Sequence, residues 1–215
     1  MNLNRRRLLR AIGAALVAAV PFAEAAGETG LSWAAAFIRR IGDDLAAIMA
    51  NAGSSEARRR NMQPFIDRVV DVDAVARFCL GRFWRQATPV QQQNCVRVFH
   101  AVLMNAVLSR VGDYERNEVR VLIQQPETRE DAVHVPTVVE RTGQPPVKVT
   151  WVVSGDSGNP RIADVIAEGV SLRLTVRSDY SAFLKSHGDS VDALVEALKQ
   201  QVCDGCASPR LHGGR

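Results

Sequence analysis

The sequence has few of the features that carry chemistry in many enzymes. It contains four His residues, and they are scattered rather than clustered at metal-ligand spacing. It has neither a phosphate-binding glycine loop nor the glycine fingerprint of dinucleotide-binding folds. These absences argue against metal-dependent, nucleotide-hydrolysing and NAD-dependent activities. We therefore expect no enzyme activity, no catalytic residues, no metal and no cofactor.

An excess of positive charge is also missing once the N-terminal segment is set aside. The whole chain carries 27 basic and 23 acidic side chains. Four Arg and one Glu fall within residues 1–25, so the rest has 23 basic and 22 acidic side chains, a net charge of +1. Such a balance gives no electrostatic footprint for nucleic acid.

The first 25 residues have the order of a secretory signal. A basic start that includes Arg5, Arg6 and Arg7 precedes an apolar run over residues 11–22 and an A-x-A cleavage site at Ala23-Glu24-Ala25. Both general secretory and twin-arginine export fit this order. We expect residues 1–25 to be removed and the mature protein to reside in the periplasm.

Residues 26–201 are expected to form one domain, and residues 202–215 a polar tail. In the first half, apolar residues recur at helical spacing. Ser54, Asp71 and Thr88-Pro89 are signals for helix starts, and Gly81 for a helix end. Pro64 should kink or split the second helix.

From residue 118 the apolar period changes to two, which predicts strands. Four alternating segments, over residues 118–124, 133–139, 147–153 and 162–166, are separated by turn-rich joints. The expected fold class is therefore α+β, with a four-stranded antiparallel sheet that has one face buried under the helices. A tight corner at Glu168-Gly169 should lead from the last strand into a helix.

A serine hydrolase is one hypothesis to weigh, because Gly155-Asp156-Ser157-Gly158 resembles the nucleophile motif of trypsin-like peptidases. A nucleophilic serine needs a histidine base held by a carboxylate. His100 and His134 lie on a predicted helix and strand without the peptidase context. Gly, Asp, Ser and Asn are common turn residues, so a turn is the favoured interpretation.

The four Cys residues permit several pairings. Cys203 and Cys206 have C-x-x-C spacing, and either a local disulfide or two free thiols is compatible with it. Cys79 and Cys95 lie on apolar helix faces, where cysteine often serves as a small hydrophobic residue. A bridge between them is the other interpretation.

Three separated stretches resemble the MlaC family, also called the toluene-tolerance or ABC-transporter auxiliary family. The first is DVDAVARFCLGRFWRQATP, residues 71–89. The second is DVIAEGVSL, residues 164–172, and the third is RSDY, residues 177–180. A closing stretch over residues 188–198 also fits. The sequence departs from the family pattern at Asn159-Pro160-Arg161, where Trp-Lys is usual.

The resemblance implies a periplasmic phospholipid carrier. The resemblance implies a twisted four-stranded antiparallel sheet wrapped by N- and C-terminal helices around an apolar cavity. Such proteins hold acyl chains in this cavity and leave the head group near solvent. They pass lipid between an outer-membrane lipoprotein–porin complex and an inner-membrane ABC transporter. These complexes are the expected partners, with phospholipid as cargo and a role in outer-membrane lipid asymmetry.

Apolar and aromatic residues on the predicted faces are the candidate lipid-binding residues of such a cavity. They are Phe78, Trp84, Phe99, Leu103, Val107, Val121, Val135, Val149, Trp151, Val165, Leu172, Tyr180 and Phe183. Three other hypotheses stay open from the sequence. They are a carrier of hopanoid or sterol-like lipid, a secreted hydrolase that uses Ser157 or Ser171, and an interaction module with a filled core.

Overall fold

Helices come first, strands follow and helices close the chain in the computed structural model, which describes residues 30–51, 53–111 and 119–206. The predicted signal peptide lies outside the described residues. The helices before the sheet are α1 (Ser32–Asn51), α2 (Ser55–Val69), α3 (Val72–Leu80), α4 (Phe83–Gln86) and α5 (Pro89–Val111). The strands are β1 (Val119–Ile123), β2 (Glu127–Arg129), β3 (Ala132–Arg141), β4 (Gln144–Ser154), β5 (Arg161–Ala167) and β6 (Val170–Ser171). Two helices follow, α6 (Leu172–Ser186) and α7 (Val191–Cys206). The predicted α+β class and its element order are confirmed.

Short polar side chains start the helices, as the sequence signals predict. The Ser54 hydroxyl accepts the Ala57 N–H at 3.1 Å, and the Asp71 carboxylate accepts the Ala74 N–H at 3.0 Å. At α5, Thr88 Oγ1 accepts the N–H of Gln91 at 3.3 Å, while Gln91 Oε1 accepts the N–H of Thr88 at 2.9 Å. These reciprocal bonds satisfy two N–H groups that a helix start leaves without partners. Helix α2 runs on through Pro64, so the proline does not split it.

Helix α3 ends at Gly81, which has a positive φ of 60°. A Cβ atom at this position would lie 3.1 Å from Nε of Arg177 on α6. Both the backbone conformation and the close approach of the α6 side chain therefore favour glycine here.

The sheet is antiparallel in the order β1-β3-β4-β5-β6, and β2 pairs with the other end of β3. The four predicted strands correspond to β1, β3, β4 and β5, and the short strands β2 and β6 are additional. All three residues of β2 are exposed, so this strand lacks the alternation of apolar and polar residues by which the others are recognised.

One face of the sheet is buried under the helices. Along β3, the residues Val133, Val135, Thr137 and Val139 are buried and alternate with half-buried ones. Across the strands, Val135 pairs with Trp151, and Trp151 pairs with Val165. Helix α1 contacts β3, whereas α2, α3 and α6 contact β5. Helices α5 and α7 pack on each other, and α5 also contacts α2 and α3.

The corner between β5 and β6 is a two-residue turn. Ala167 pairs with Val170, which leaves Glu168 and Gly169 between the strands, and both have a positive φ, of 49° and 79°. Positive φ at both central residues is the pattern of a type I′ hairpin turn. The Glu168 carboxylate also accepts the N–H of Lys148 at 2.5 Å, which ties the corner to β4.

The last helix extends into the segment that the sequence predicts as a polar tail. Helix α7 includes residues 202–206, and the carbonyl of Val202 accepts a hydrogen bond from the Asn105 side chain at 3.1 Å. Residues 207–215 lie outside the described residues. Within the part of the chain that the structure describes, no helix has the length and apolar character needed to cross a bilayer.

Candidate functional site

A cavity of about 180 Å³ lies between strands β4 and β5 and the helices, and it is partly open to solvent. Its wall is almost entirely hydrocarbon and draws on α1, α2, α3, α5 and α6 as well as the sheet. The lining residues are Ile41, Ile66, Val69, Val70, Val75, Cys79, Phe99, Val102, Leu103, Ala106, Val107, Trp151, Ile162, Ala163, Asp164, Val165, Leu172, Arg173, Val176 and Tyr180. A cavity of this kind favours an apolar ligand, since an engineered apolar cavity of about 150 Å³ stays free of water and binds benzene.

Helix α5 supplies one wall of the cavity. Phe99, Leu103 and Val107 recur at a spacing of four residues and all line the cavity. This spacing places side chains above one another on one helix face. Such an apolar stripe usually packs in a filled core. Here it forms the side of a cavity.

The sheet supplies Trp151 and Val165, which pair across β4 and β5. The indole N–H of Trp151 donates to Thr137 Oγ1 at 3.3 Å, and the Thr137 hydroxyl donates to the Val149 carbonyl at 2.8 Å. Because the polar edge of the indole is satisfied within the sheet, its apolar surface can serve the cavity.

Helix α6 contributes Leu172, Val176 and Tyr180, which line the cavity at successive turns. Its start is fixed from β5 and β6. The Ser171 hydroxyl accepts the Leu174 N–H at 3.2 Å and donates to Asp164 Oδ2 at 2.5 Å. A serine hydroxyl at the cap together with a carboxylate near the first turn suits the positive end of the helix dipole.

Two charged residues interrupt the hydrocarbon wall. Asp164 is only 7% exposed, and its Oδ1 accepts the N–H groups of Val165 and Arg173 at 2.8 and 3.1 Å. Nε of Arg173 lies 3.4 Å from Asp164 Oδ2. The buried carboxylate is thus held by backbone donors, a hydroxyl and a cation, as a buried charge requires.

The two weakly acidic groups that line the cavity are held in their neutral forms. Burial raises the pKa of the Cys79 thiol to about 12, and the neighbouring Asp164 charge adds to the effect. Burial likewise raises the pKa of the Tyr180 phenol. A thiol with so high a pKa is a poor nucleophile at neutral pH. Cys79 instead donates to the Arg173 carbonyl at a distance of 3.6 Å.

Of the two interpretations of Cys79 and Cys95, small hydrophobic residues or a disulfide bridge, the structure agrees with the first. Cys79 and Cys95 are buried, free thiols that pack in the core. Cys203 is an exposed thiol, and the side chain of Cys206 lies outside the described residues. A Cys203–Cys206 disulfide therefore stays a prediction.

The structure brings together some of the predicted lipid-binding residues. Seven of them line the cavity: Phe99, Leu103, Val107, Trp151, Val165, Leu172 and Tyr180. Val121, Val135 and Val149 are buried on the sheet but do not line the cavity. They pack in the continuous core.

Three predicted aromatic residues are engaged elsewhere. The Phe78 ring carries the guanidinium groups of Arg173 and Arg177 at 4.5 and 4.9 Å from its centroid. Trp84 lies under the guanidinium of Arg77 at 5.1 Å, and Phe183 stacks on His187 with centroids 3.9 Å apart.

Several lining residues are not among those predicted, and they differ in how far the sequence marks them. Val176 lies four residues from both Leu172 and Tyr180, so extending the α6 stripe would have found it. Ile41 and Ile66 belong to helix stripes that are otherwise filled core, and no sequence pattern separates the two cases.

The serines that a hydrolase would use have structural roles. In the loop before β5, Asp156 Oδ1 accepts the N–H groups of Gly158 and Asn159 at 2.8 and 3.1 Å, an arrangement typical of an Asx turn around Ser157. Ser171 is the helix cap described above. Within the described ranges, no group of three His, Cys, Asp or Glu side chains is placed to hold a metal ion.

The fold is α+β, with an apolar cavity between a sheet and helices. The same fold occurs in the phospholipid-binding protein from Ralstonia solanacearum, solved in complex with a phospholipid. The match has a TM-score of 0.69 at 21% sequence identity and covers 83% of this chain and 99% of that chain. The family model described as MlaC protein matches residues 39–200. The chain belongs to the MlaC family.

Proposed function

We propose that this chain is a periplasmic phospholipid carrier that holds lipid acyl chains in the cavity between β4, β5 and the helices. The cavity is the observation that carries the proposal, because its wall is hydrocarbon apart from one ion pair. Moving an acyl chain from water into such a wall gains about 0.8 kcal/mol per buried CH₂ group. A carrier with this wall can therefore keep a lipid out of water between membranes.

The size of the cavity sets a condition on loading. Its volume of about 180 Å³ is below the roughly 300–1,000 Å³ of common ligand pockets. A diacyl lipid therefore requires the walls to move apart. The sheet is held by ladders of hydrogen bonds, and the start of α6 is bonded to Asp164 on β5. Helix α5 instead faces the cavity with apolar side chains, whose contacts can slide at lower cost. Loading should move α5 away from the sheet.

Family membership supports the wider role. In this proposal the chain is exported to the periplasm and exchanges lipid with an outer-membrane lipoprotein–porin complex and an inner-membrane ABC transporter. It acts by binding rather than catalysis, with phospholipid as cargo. N-terminal sequencing of the exported protein should begin at Ala26.

Mass spectrometry of lipid extracted from protein purified without detergent tests the proposal. We expect intact phospholipid in stoichiometric amount. A hopanoid or other polycyclic lipid in its place would identify the alternative cargo, and time-dependent lipid cleavage would point to hydrolysis. Absence of any bound lipid from protein purified in this way would contradict a carrier.

A further inference from the structure

We propose that Arg173 and Arg177 form a phosphate-binding site at the edge of the cavity, and that this site favours lipids whose head group has a net negative charge. The inference rests on the proposed function, because it assigns a place and a preference to the head group of a lipid held in the cavity.

The two arginines converge on one ring. Their guanidinium carbons lie 4.5 and 4.9 Å from the centroid of Phe78, so they are within about 10 Å of each other. Arg173 lines the cavity, and Arg177 is exposed one helical turn further along α6. The pair therefore reaches from the cavity wall to the solvent.

Arg173 has a buried donor that lacks an acceptor. Its Nε is buried and makes no hydrogen bond with any residue in the described part of the chain. Asp164 Oδ2 lies 3.4 Å away and forms an ion pair with Arg173, but the two atoms do not form a hydrogen bond. A buried N–H without an acceptor is costly, and an oxygen of a bound ligand would remove that cost.

The charges at the site specify the ligand further. Arg173 and Arg177 carry two positive charges and Asp164 carries one negative charge, so the group has a net charge of +1. No ion pair of Arg177 is found among the described residues, where it contacts Phe78. A phosphodiester with no other charge complements this group. A head group that also carries an ammonium brings a further positive charge towards the two guanidinium groups.

The residue type fits the same ligand. A guanidinium presents a planar set of N–H donors that matches phosphate oxygens in pairs. Phe78 contacts both guanidinium groups, which limits the freedom lost when a ligand binds. Phe78, predicted as a lipid contact, thereby acts by positioning the arginines.

Competitive loading from vesicles measures the preference. Delipidated protein is incubated with vesicles of equal parts phosphatidylglycerol and phosphatidylethanolamine with matched acyl chains, and its bound lipid is identified by mass spectrometry. We expect phosphatidylglycerol to be enriched about threefold to fivefold at low salt, the range for a partly exposed charge pair, and less so at high salt.

Variants assign the preference to the site. Arg177→Gln should abolish the enrichment, and Arg177→Lys should retain part of it. Arg120→Gln on β1 removes the same charge from an exposed position away from the cavity and should leave the enrichment intact. Equal loading of the two lipids by the wild type, or an enrichment unchanged in Arg177→Gln, would overturn the inference.

Two further results distinguish a head-group site from a failed carrier and from a site for free phosphate. A wild type that takes up neither lipid would contradict the proposed carrier function itself, whereas uptake without preference contradicts the phosphate site alone. Inorganic phosphate, followed by phosphorus NMR on delipidated protein, should bind far more weakly than lipid, because the acyl chains supply most of the affinity. Binding of free phosphate as tight as that of lipid would overturn the assignment to a head group.

Discussion

Asp164 shows how a charged residue can stay within a wall of hydrocarbon. It receives two backbone N–H groups and the Ser171 hydroxyl, and Arg173 lies beside it. Asp164 belongs to the stretch over residues 164–172 that resembles the family. In the structure it supports the start of α6. Glu168, in the same stretch, is likewise bonded and accepts the N–H of Lys148.

Some of the predicted lipid-binding residues do not line the cavity, for two reasons. Alternation along a strand predicts the face on which a residue lies, but not whether that face meets a cavity or a filled core. Val135 and Trp151 are cross-strand neighbours, yet only Trp151 lines the cavity. The rings of Phe78 and Trp84 contact the guanidinium groups of Arg173 and Arg77. These contacts cannot be read from the local sequence pattern.

The buried thiols predict how stability depends on pH. Burial raises the pKa of Cys79 to about 12 and that of Cys95 to about 11, from 9.0. Above pH 9 the unfolded chain loses these protons while the folded chain keeps them. The free energy of unfolding should therefore fall as pH rises from 9 towards 11–12, with a slope of up to about 1.4 kcal/mol per pH unit for each thiol.

Urea unfolding between pH 7 and 10.5 would measure this fall. Cys79→Ala with Cys95→Ala should flatten the curve above pH 9, whereas Cys203→Ala should not, since Cys203 is exposed. The remaining slope belongs to groups such as Tyr180, whose pKa burial also raises. An equal decline in the double variant and the wild type would show that the thiols do not contribute.

At the scale of elements, the local signals predicted the helix limits well. Ser54, Asp71 and Thr88 start helices, and Gly81 ends one, because each acts through bonds or backbone angles within a few residues. Strand β2 was missed because its three residues are all exposed and follow a proline. Its pairing depends on β3, a contact that local sequence does not encode.

The start of α6 fixes the helix that contributes Leu172, Val176 and Tyr180 to the cavity. Ser171→Ala removes the cap to Leu174 and the donor to Asp164, so we expect the free energy of unfolding to fall by about 1–2 kcal/mol. Chemical denaturation measures the loss. Ser178→Ala, at an exposed position inside the same helix, is the matched control and should change stability little. Equal stability of the two variants would argue against the role of the cap.

At the scale of the whole molecule, the cavity is space that the side chains of the sheet and of the helices leave unfilled between them. The sheet presents Trp151 and Val165 on one side, and α5 and α6 present their stripes on the other. The sheet and the helices come from segments far apart in the chain. The spacing of apolar residues predicts each of them separately, but it does not predict the cavity between them or its volume. Only the resemblance to the family made a cavity an expectation from the sequence.

The most direct test of the carrier function fills this cavity. Ala106 lies on α5 among the lining residues, and Ala106→Phe should occupy space that the acyl chains require. Gln93→Phe adds the same side chain at an exposed position of the same helix and serves as the control. The measurement is the phospholipid bound per folded protein, with circular dichroism to establish folding. A carrier that uses this cavity should keep wild-type lipid content in Gln93→Phe and hold severalfold less in Ala106→Phe. A folded Ala106→Phe protein with wild-type lipid content would contradict it.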